Sequence, residues 1–375
     1  MKRLGIIFIV CLMIAGSIPV SAAEVAGDAA ILMDAATGTI LYEHNSHAPL
    51  PPASVTKIMT MLLIMEAIDD GRIGWEDPVT ASAAAAAKGG SQIYLKEGET
   101  MPVSVLLKSV TVSSANDAAC ALAEHIAGSE AAFVEMMNAK AKALGMHDTN
   151  FENCTGLDDD TKNHKTSAYD IALMSRELLT KHPDIKQFTT IWMDTVRDGT
   201  FGLSNTNKLV RFYSGATGLK TGYTSQAGFC LSASAQRDGM ELIAVVLGCD
   251  TSAERFAACR SLLDQGFAGY ALIAPALDDQ VSVPVTCGKE DRVQAVLSGD
   301  CQMLIDKSQK SSVKTEISLL DSIQAPVSKG QRLGTMTVRS NEQILAEVPL
   351  VAAQPVLRLS YGEILLSLLR TVCFN

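Results

Sequence analysis

Apolar positions change their spacing several times along the chain, and each change marks an element. Residues 29–45, AAILMDAATGTILYEHN, alternate apolar and polar positions on either side of Thr37-Gly38, which predicts a two-stranded hairpin. After Pro51-Pro52 the spacing becomes helical: Val55, Ile58, Met59, Leu62, Leu63 and Ala67 predict a helix that starts at Ser54 and buries one face. Residues 103–128 hold two further helical stretches, broken near Ser113-Ser114. Another helix over 129–145 ends at Gly145, and one over 167–183 is stopped by Pro183. Residues 54–183 are therefore expected to be mainly helical.

From Thr217 the pattern returns to strands. TGLKTGYTSQAGFCLSASAQRDGMELIAVVLG reads as three of them, the last two joined by an Asp238-Gly239 turn, and a helix follows over 252–270. Hairpin, helical block, strands and closing helix together imply an α+β domain over 23–275 whose sheet joins distant parts of the chain. Near residue 276 the texture becomes short alternating runs separated by Gly, Asp and Asn, which predicts a small all-β domain over 276–353. In 354–375, Val356, Leu359, Ile364, Leu366, Leu369 and Val372 stand among only three charges, Arg358, Glu363 and Arg370. An amphipathic helix lying on a membrane surface is expected there, with a helix packed on its own protein or on a partner as the competing reading.

Composition sharpens this outline. With 375 residues, 47% of them hydrophobic and 19% charged, the chain can fill more than one core. Its start, Lys2-Arg3, then the apolar stretch Leu4–Ala15 and the small residues Val20-Ser21-Ala22, predicts a secretory signal peptide over 1–22. Leu4–Ala15 is short for a membrane span. Loss of Lys2 and Arg3 lowers the basic count from 31 to 29 against 41 acidic residues, so net charge moves from −10 to −12. That charge argues against nucleic acid as a partner. Removal of Cys11 leaves eight of nine cysteines, none in a C-x-x-C pair, so sequence spacing supports no zinc or redox site and no cofactor is expected. Disulfide pairing stays open.

Ser54 and Lys57 form a Ser-x-x-Lys spacing, a cheap pattern that recurs at Ser311 and Lys314. Only Ser54 stands at a predicted helix start, where free N–H groups stabilise developing negative charge and where Lys57 follows one turn later on the same side. There the amine can take the serine proton if burial or a second cation keeps it neutral. Taken alone, a helix-capping serine with a solvated lysine explains the pattern better. Two further elements change that balance. Ser114-Ala115-Asn116 is the chain's single Ser-x-Asn and falls in the helix break, while Lys220-Thr221-Gly222 is its single Lys-Thr-Gly and opens a predicted strand.

Ser54-x-x-Lys57, Ser114-x-Asn116 and Lys220-Thr221-Gly222, in this order, resemble the elements of penicillin-binding proteins and class A β-lactamases. More closely, PPASVTKIMT, SSANDAAC, HKTSAYDIA and GLKTGYTSQAGFCLSASA resemble the low-molecular-mass D-alanyl-D-alanine carboxypeptidases, the penicillin-binding-protein-five-like group, from residue 24 to about 275. That resemblance implies a transpeptidase-like catalytic domain, an antiparallel sheet flanked by helices, followed by a β domain and a terminal amphipathic helix. It implies Ser54 as acylated nucleophile, Lys57 as its base and Ser114 as the group passing a proton toward the leaving D-alanine. Asn116 would bond the substrate backbone, Lys220 would supply positive potential, and Thr221, beside Gly222, would bind the terminal carboxylate. The oxyanion hole would be the N–H groups of Ser54 and Tyr223; the family often has histidine at the latter position. Arg255 matches a family arginine near the carboxylate site, with a solvated helix arginine as the equally weighted alternative. Peptidoglycan stem peptides ending in D-Ala-D-Ala would be the substrate, β-lactams would act as covalent inhibitors, and the exported protein would sit on the outer face of the bacterial cytoplasmic membrane.

Other readings fit less well. A class A β-lactamase needs a Glu-x-x-Leu-Asn run to activate the deacylating water, and the chain has none. A metallo-carboxypeptidase needs clustered ligands, yet His44, His47, His125, His147, His164 and His182 include no H-E-x-x-H. A catalytically inactive cell-wall-binding protein is disfavoured because every reactive side chain is present.

Overall fold

Strand β1, Ala29–Asp34, is buried along its whole length because both of its faces are covered. It lies second in a five-stranded antiparallel sheet together with β2 (Ile40–His44), β3 (Ala216–Thr224), β4 (Gly228–Arg237) and β5 (Met240–Cys249), in the order β2-β1-β5-β4-β3. Side chains alternate across the sheet with the period of two that a strand imposes. Ile31, Met33, Ile243 and Val245 face the helical block, whereas Leu32, Leu242, Ala244 and Val246 face a single long helix. This computed structural model describes residues 25–159, 161–299 and 301–365, so the expected signal peptide over 1–22 lies outside the described residues.

The helical block holds α1 (Lys57–Asp69), α2 (Val103–Ser113), α3 (Asn116–Ala127), α4 (Glu130–Ala143) and α5 (Ala168–Lys181). Two expectations are corrected here. Ser54 lies in a 3₁₀ turn, Ala53–Thr56, and the α-helix begins only at Lys57. Thr56 Oγ1 donates to the Ala53 carbonyl at 2.8 Å and so tightens that turn. Helix α1 also buries more than one face: every residue from Lys57 to Met65 is buried, because α3, α5 and the sheet surround it. Beyond the sheet, α6 (Ser252–Gly269) starts with a Thr251–Glu254 capping box worth about 1 kcal/mol, which sets Arg255 in its first turn.

A second unit follows, built on a six-stranded sheet with a core of Val283, Val293, Leu333, Met336, Val338 and Leu350. Tyr270–Ile273, directly after α6, pairs with Met303–Asp306. Val356, expected on the amphipathic terminal helix, instead belongs to this core: it is 1% exposed and exchanges backbone bonds of 2.9 Å with Val327. Leu359 N–H likewise donates to the Cys287 carbonyl. An apolar side chain that completes a β core is removed from water there and is no longer free to meet lipid. Past it the chain turns helical at 361–365, with Leu357, Tyr361 and Leu365 exposed. Leu366, Leu369 and Val372 lie outside the described residues, among which no helix is long and apolar enough to cross a membrane.

Candidate active site

Ser54 is placed by its neighbours on both sides. Gly156 has φ +80°, and a Cβ there would fall 1.9 Å from the Ala53 carbonyl oxygen, so only glycine lets the 153–157 loop press against the turn. On the opposite side a Cβ at Gly222 would lie 2.7 Å from the Pro52 oxygen and 3.2 Å from the Ser54 nitrogen. Strand β3 therefore runs directly past the serine.

Lys57 Nζ donates to Ser54 Oγ at 3.0 Å and to the Thr155 carbonyl at 2.8 Å. Its side chain is fully buried, and that loss of water lowers its pKa from 10.5 to about 7, against the opposing pull of Cys154 and Asp117. Below the turn, His164 is held neutral by burial, which takes its pKa to about 4. Its Nδ1 accepts from Glu152 N–H at 3.0 Å, so Nε2 carries the hydrogen and donates to Thr56 Oγ1 at 2.8 Å. A chain of hydrogen bonds thus supports the carbonyl just ahead of Ser54.

Ser114 has left-handed backbone geometry, φ +65°, at the break between α2 and α3, and is buried. Asn116 opens α3; its Nδ2 donates to the Gly89 carbonyl at 2.7 Å, while its Oδ1 is buried with no partner within the protein. Asp117 accepts from the N–H groups of Ile93 and Leu95, which ties the 89–95 loop to the same helix start. A cavity of 380 Å³ opens beside Gly89 and Thr155, the residues whose carbonyls hold Asn116 and Lys57.

From β3 come Lys220, Thr221 and Gly222. Lys220 is fully buried, donates to the Thr221 carbonyl at 2.8 Å, and has its pKa pushed well down by burial and then by the positive charges of Lys57 and Arg255. Thr221 Oγ1 donates to Thr206 Oγ1 at 2.6 Å. Arg255 is no solvated helix arginine: it is 8% exposed, with its guanidinium 5.2 Å and 5.0 Å from the ring centres of Phe229 and Phe256. Its Nη1 donates to the Gly222 carbonyl at 2.7 Å. Tyr223 is 56% exposed and stacks on Phe229. The second Ser-x-x-Lys pair, Ser311 and Lys314, is exposed on the β unit, with neither residue near this centre.

A serine bonded to a buried lysine of lowered pKa, beside a strand that carries buried Lys220 and is backed by buried Arg255, is equipped for acyl transfer to an anionic substrate. A profile described as D-alanyl-D-alanine carboxypeptidase matches residues 17–251, and one described as the C-terminal domain of penicillin-binding protein 5 matches 276–358. The D-alanyl-D-alanine carboxypeptidase DacF of Bacillus subtilis is 45% identical over 331 residues, 87% of this chain and 84% of that protein. The chain belongs to the D-alanyl-D-alanine carboxypeptidase family. Among solved structures, penicillin-binding protein 5 from Haemophilus influenzae is 31% identical with a TM-score of 0.76, covering 91% of this chain and 100% of its own. Penicillin-binding protein D2 from Listeria monocytogenes in its ampicillin-bound form is 33% identical with a TM-score of 0.61, covering 66% and 99%.

For this member of the family, the structure adds residues that the sequence motifs did not single out: Thr155, Gly156, His164 and Thr206. Of these, only His164 lies in one of the family-like stretches, HKTSAYDIA. Thr155 acts through its backbone carbonyl, a group every residue carries, so side-chain identity held no signal for it.

Proposed function

We propose that the protein removes the terminal D-alanine from peptidoglycan stem pentapeptides through an acyl-enzyme on Ser54. The observation that carries this reading is the contact of Ser54 Oγ with Lys57, an amine whose pKa of about 7 leaves a substantial fraction of it free to accept a proton at neutral pH. In the neutral amine, N–H donates to the Thr155 carbonyl and the lone pair faces the serine. Ser54 Oγ attacks the carbonyl of the penultimate D-alanine while its proton passes to Lys57 Nζ. The N–H groups of Ser54 and Tyr223 receive the developing oxyanion. Ser114 relays the proton to the departing amine, the C–N bond breaks, and D-alanine leaves. Asn116 Oδ1, buried and unpartnered in the protein, accepts from the substrate backbone. Thr221, in the Gly222 strand, meets the terminal carboxylate within the positive potential of Lys220 and Arg255. Water then attacks the ester, with Lys57 or Ser114 assisting its proton transfer, and frees the serine.

In this reading residues 23–275 carry catalysis, 276–353 form the accessory β domain, and the segment from 354 onward meets the outer face of the cytoplasmic membrane after export and loss of 1–22. Exposed Leu357, Tyr361 and Leu365 support that membrane contact. β-Lactams acylate the same serine and stay bound, because no Glu-x-x-Leu-Asn run is present to drive water onto the bulkier penicilloyl ester. Intact-mass analysis after benzylpenicillin, with peptide mapping, should place the adduct on Ser54. An adduct on Ser311, or none, would refute the assignment. A stem-pentapeptide analogue should release free D-alanine, whereas rapid penicillin turnover without D-alanine release would indicate a β-lactamase.

A further inference from the structure

Outside the reactive centre, Cys120, Cys154 and Glu130 bring their sulfur and carboxylate oxygen atoms within 4.8 Å of one another. Three separate segments converge here: Cys120 from α3, Glu130 from the start of α4, and Cys154 from the loop ahead of Thr155. Both cysteines are fully buried. Cys154 Sγ lies 3.2 Å from Glu130 Oε1, Cys120 Sγ 3.9 Å from Glu130 Oε2, and Cys120 Sγ 3.8 Å from Glu124 Oε1. A tetrahedral zinc ion with Zn–S near 2.3 Å and Zn–O near 2.1 Å sets sulfur–oxygen edges of about 3.6 Å. The two Glu130 edges, one to each carboxylate oxygen, lie either side of that figure, so a small rotation of the carboxylate brings one oxygen to both sulfurs.

We propose that Cys120, Cys154 and Glu130 bind one zinc ion that braces the rear wall of the active site, with the Glu124 carboxylate, which here neighbours Cys120 alone, turning in as the fourth ligand. On binding, two S–H bonds break, two S–Zn bonds form, and both protons go to solvent. Charge balances at the buried part of the site. Two thiolates and the Glu130 carboxylate carry three negative charges; zinc and the Lys88 ammonium, 2.5 Å from Glu130 Oε2, carry three positive ones. Lys88 then serves as the outer partner that orients the ligating carboxylate. Glu124 is half-buried, where water still solvates its charge.

The site touches the catalytic framework at two places. Thr60 Oγ1 donates to the Cys154 carbonyl at 2.7 Å, and the next carbonyl, that of Thr155, holds Lys57. Lys88 precedes Gly89, whose carbonyl holds Asn116. A metal that pins Cys154 and Glu130 therefore fixes the acceptors on which Lys57 and Asn116 are oriented. Sequence spacing hid this set, since the ligands come as Cys120, Glu124, Glu130 and Cys154 with no C-x-x-C pair.

The test uses the mature chain purified without chelator. Plasma mass spectrometry should find about one zinc per chain, and cobalt substitution should give a sulfur-to-cobalt charge-transfer band. Both signals should vanish in Cys120→Ser/Cys154→Ser. Glu130→Gln, which keeps both thiols, should weaken cobalt binding at least tenfold. Chelation of the wild type should lower its melting temperature by several degrees, and added zinc should restore it. Absence of zinc and of the cobalt band, with both thiols titrating in the unfolded chain, would overturn the proposal. A mature chain two hydrogens lighter, with Cys120 and Cys154 in one disulfide-linked peptide pair, would overturn it equally.

Discussion

Lys57 owes its chemistry to what surrounds it. An amine in water is protonated at neutral pH and cannot act as a base; burial brings this one to a pKa of about 7. Acylation of Ser54 should therefore rise with pH through about 7 and level off above it, because the protonated amine cannot accept the serine proton. Stopped-flow acylation by a chromogenic cephalosporin across pH 5 to 9 checks this, and a flat profile would assign the base elsewhere. The same shift acts on stability. Between about 7 and 10.5 the unfolded chain holds a proton that the folded Lys57 has released, so this group's contribution to stability increases with pH across that window. Lys57→Arg preserves charge but not basicity, since a guanidinium does not deprotonate; acylation should fall by about a hundred- to ten-thousand-fold. Intact-mass kinetics would reveal whether a near-normal rate survives.

Among the elements, the decisive contact is that of strand β3 with the turn that carries Ser54. The strand alone supplies Lys220 and Thr221, and Gly222 allows it to lie close enough to use them. Gly222→Ala should push the strand and the turn apart, with a Cβ only 2.7 Å from the Pro52 oxygen, and should cut the acylation rate more than it lowers the melting temperature. Gly156→Ala meets a different obstacle, combining φ +80° with a backbone clash, and should destabilise the whole domain by more than about 1 kcal/mol. Urea unfolding of the two variants beside their penicillin acylation rates separates the effects. Equal losses in both measurements for Gly222→Ala would show that β3 matters to folding alone.

Over the whole molecule, the segment proposed to meet the membrane is continuous with the β unit, whose core takes in Val356. Because Val356 and Leu359 belong to the β unit, a truncation meant to remove only the membrane contact must fall after Ser360. A chain ending there should keep its D-alanine release and its melting temperature and should move from the membrane fraction to the soluble one. Unchanged fractionation would mean that the terminal segment packs on its own protein or a partner. A cut before Pro355 should in addition lower the β unit's stability, since Val356 then leaves a core position worth about 1.5–3 kcal/mol.

Much of this protein is written locally in its residue order. The hairpin at Thr37-Gly38, the helix break that offers Ser114 and Asn116, and the three strands from Ala216 to Cys249 follow from spacings of two to four residues, which fix which side chains share a face. The reactive motifs were legible for the same reason. Two local details were not: the 3₁₀ turn at Ser54, set by its contacts with the 153–157 loop and β3, and the all-round burial of α1. Tertiary structure alone decided the quantities on which chemistry depends. Thr155 meets Lys57, Arg255 meets the Gly222 carbonyl, and Cys154 meets Cys120 across separations of 98, 33 and 34 residues. The basicity of Lys57 belongs to this class, because desolvation is imposed by segments from elsewhere in the chain, and no spacing around residue 57 encodes it.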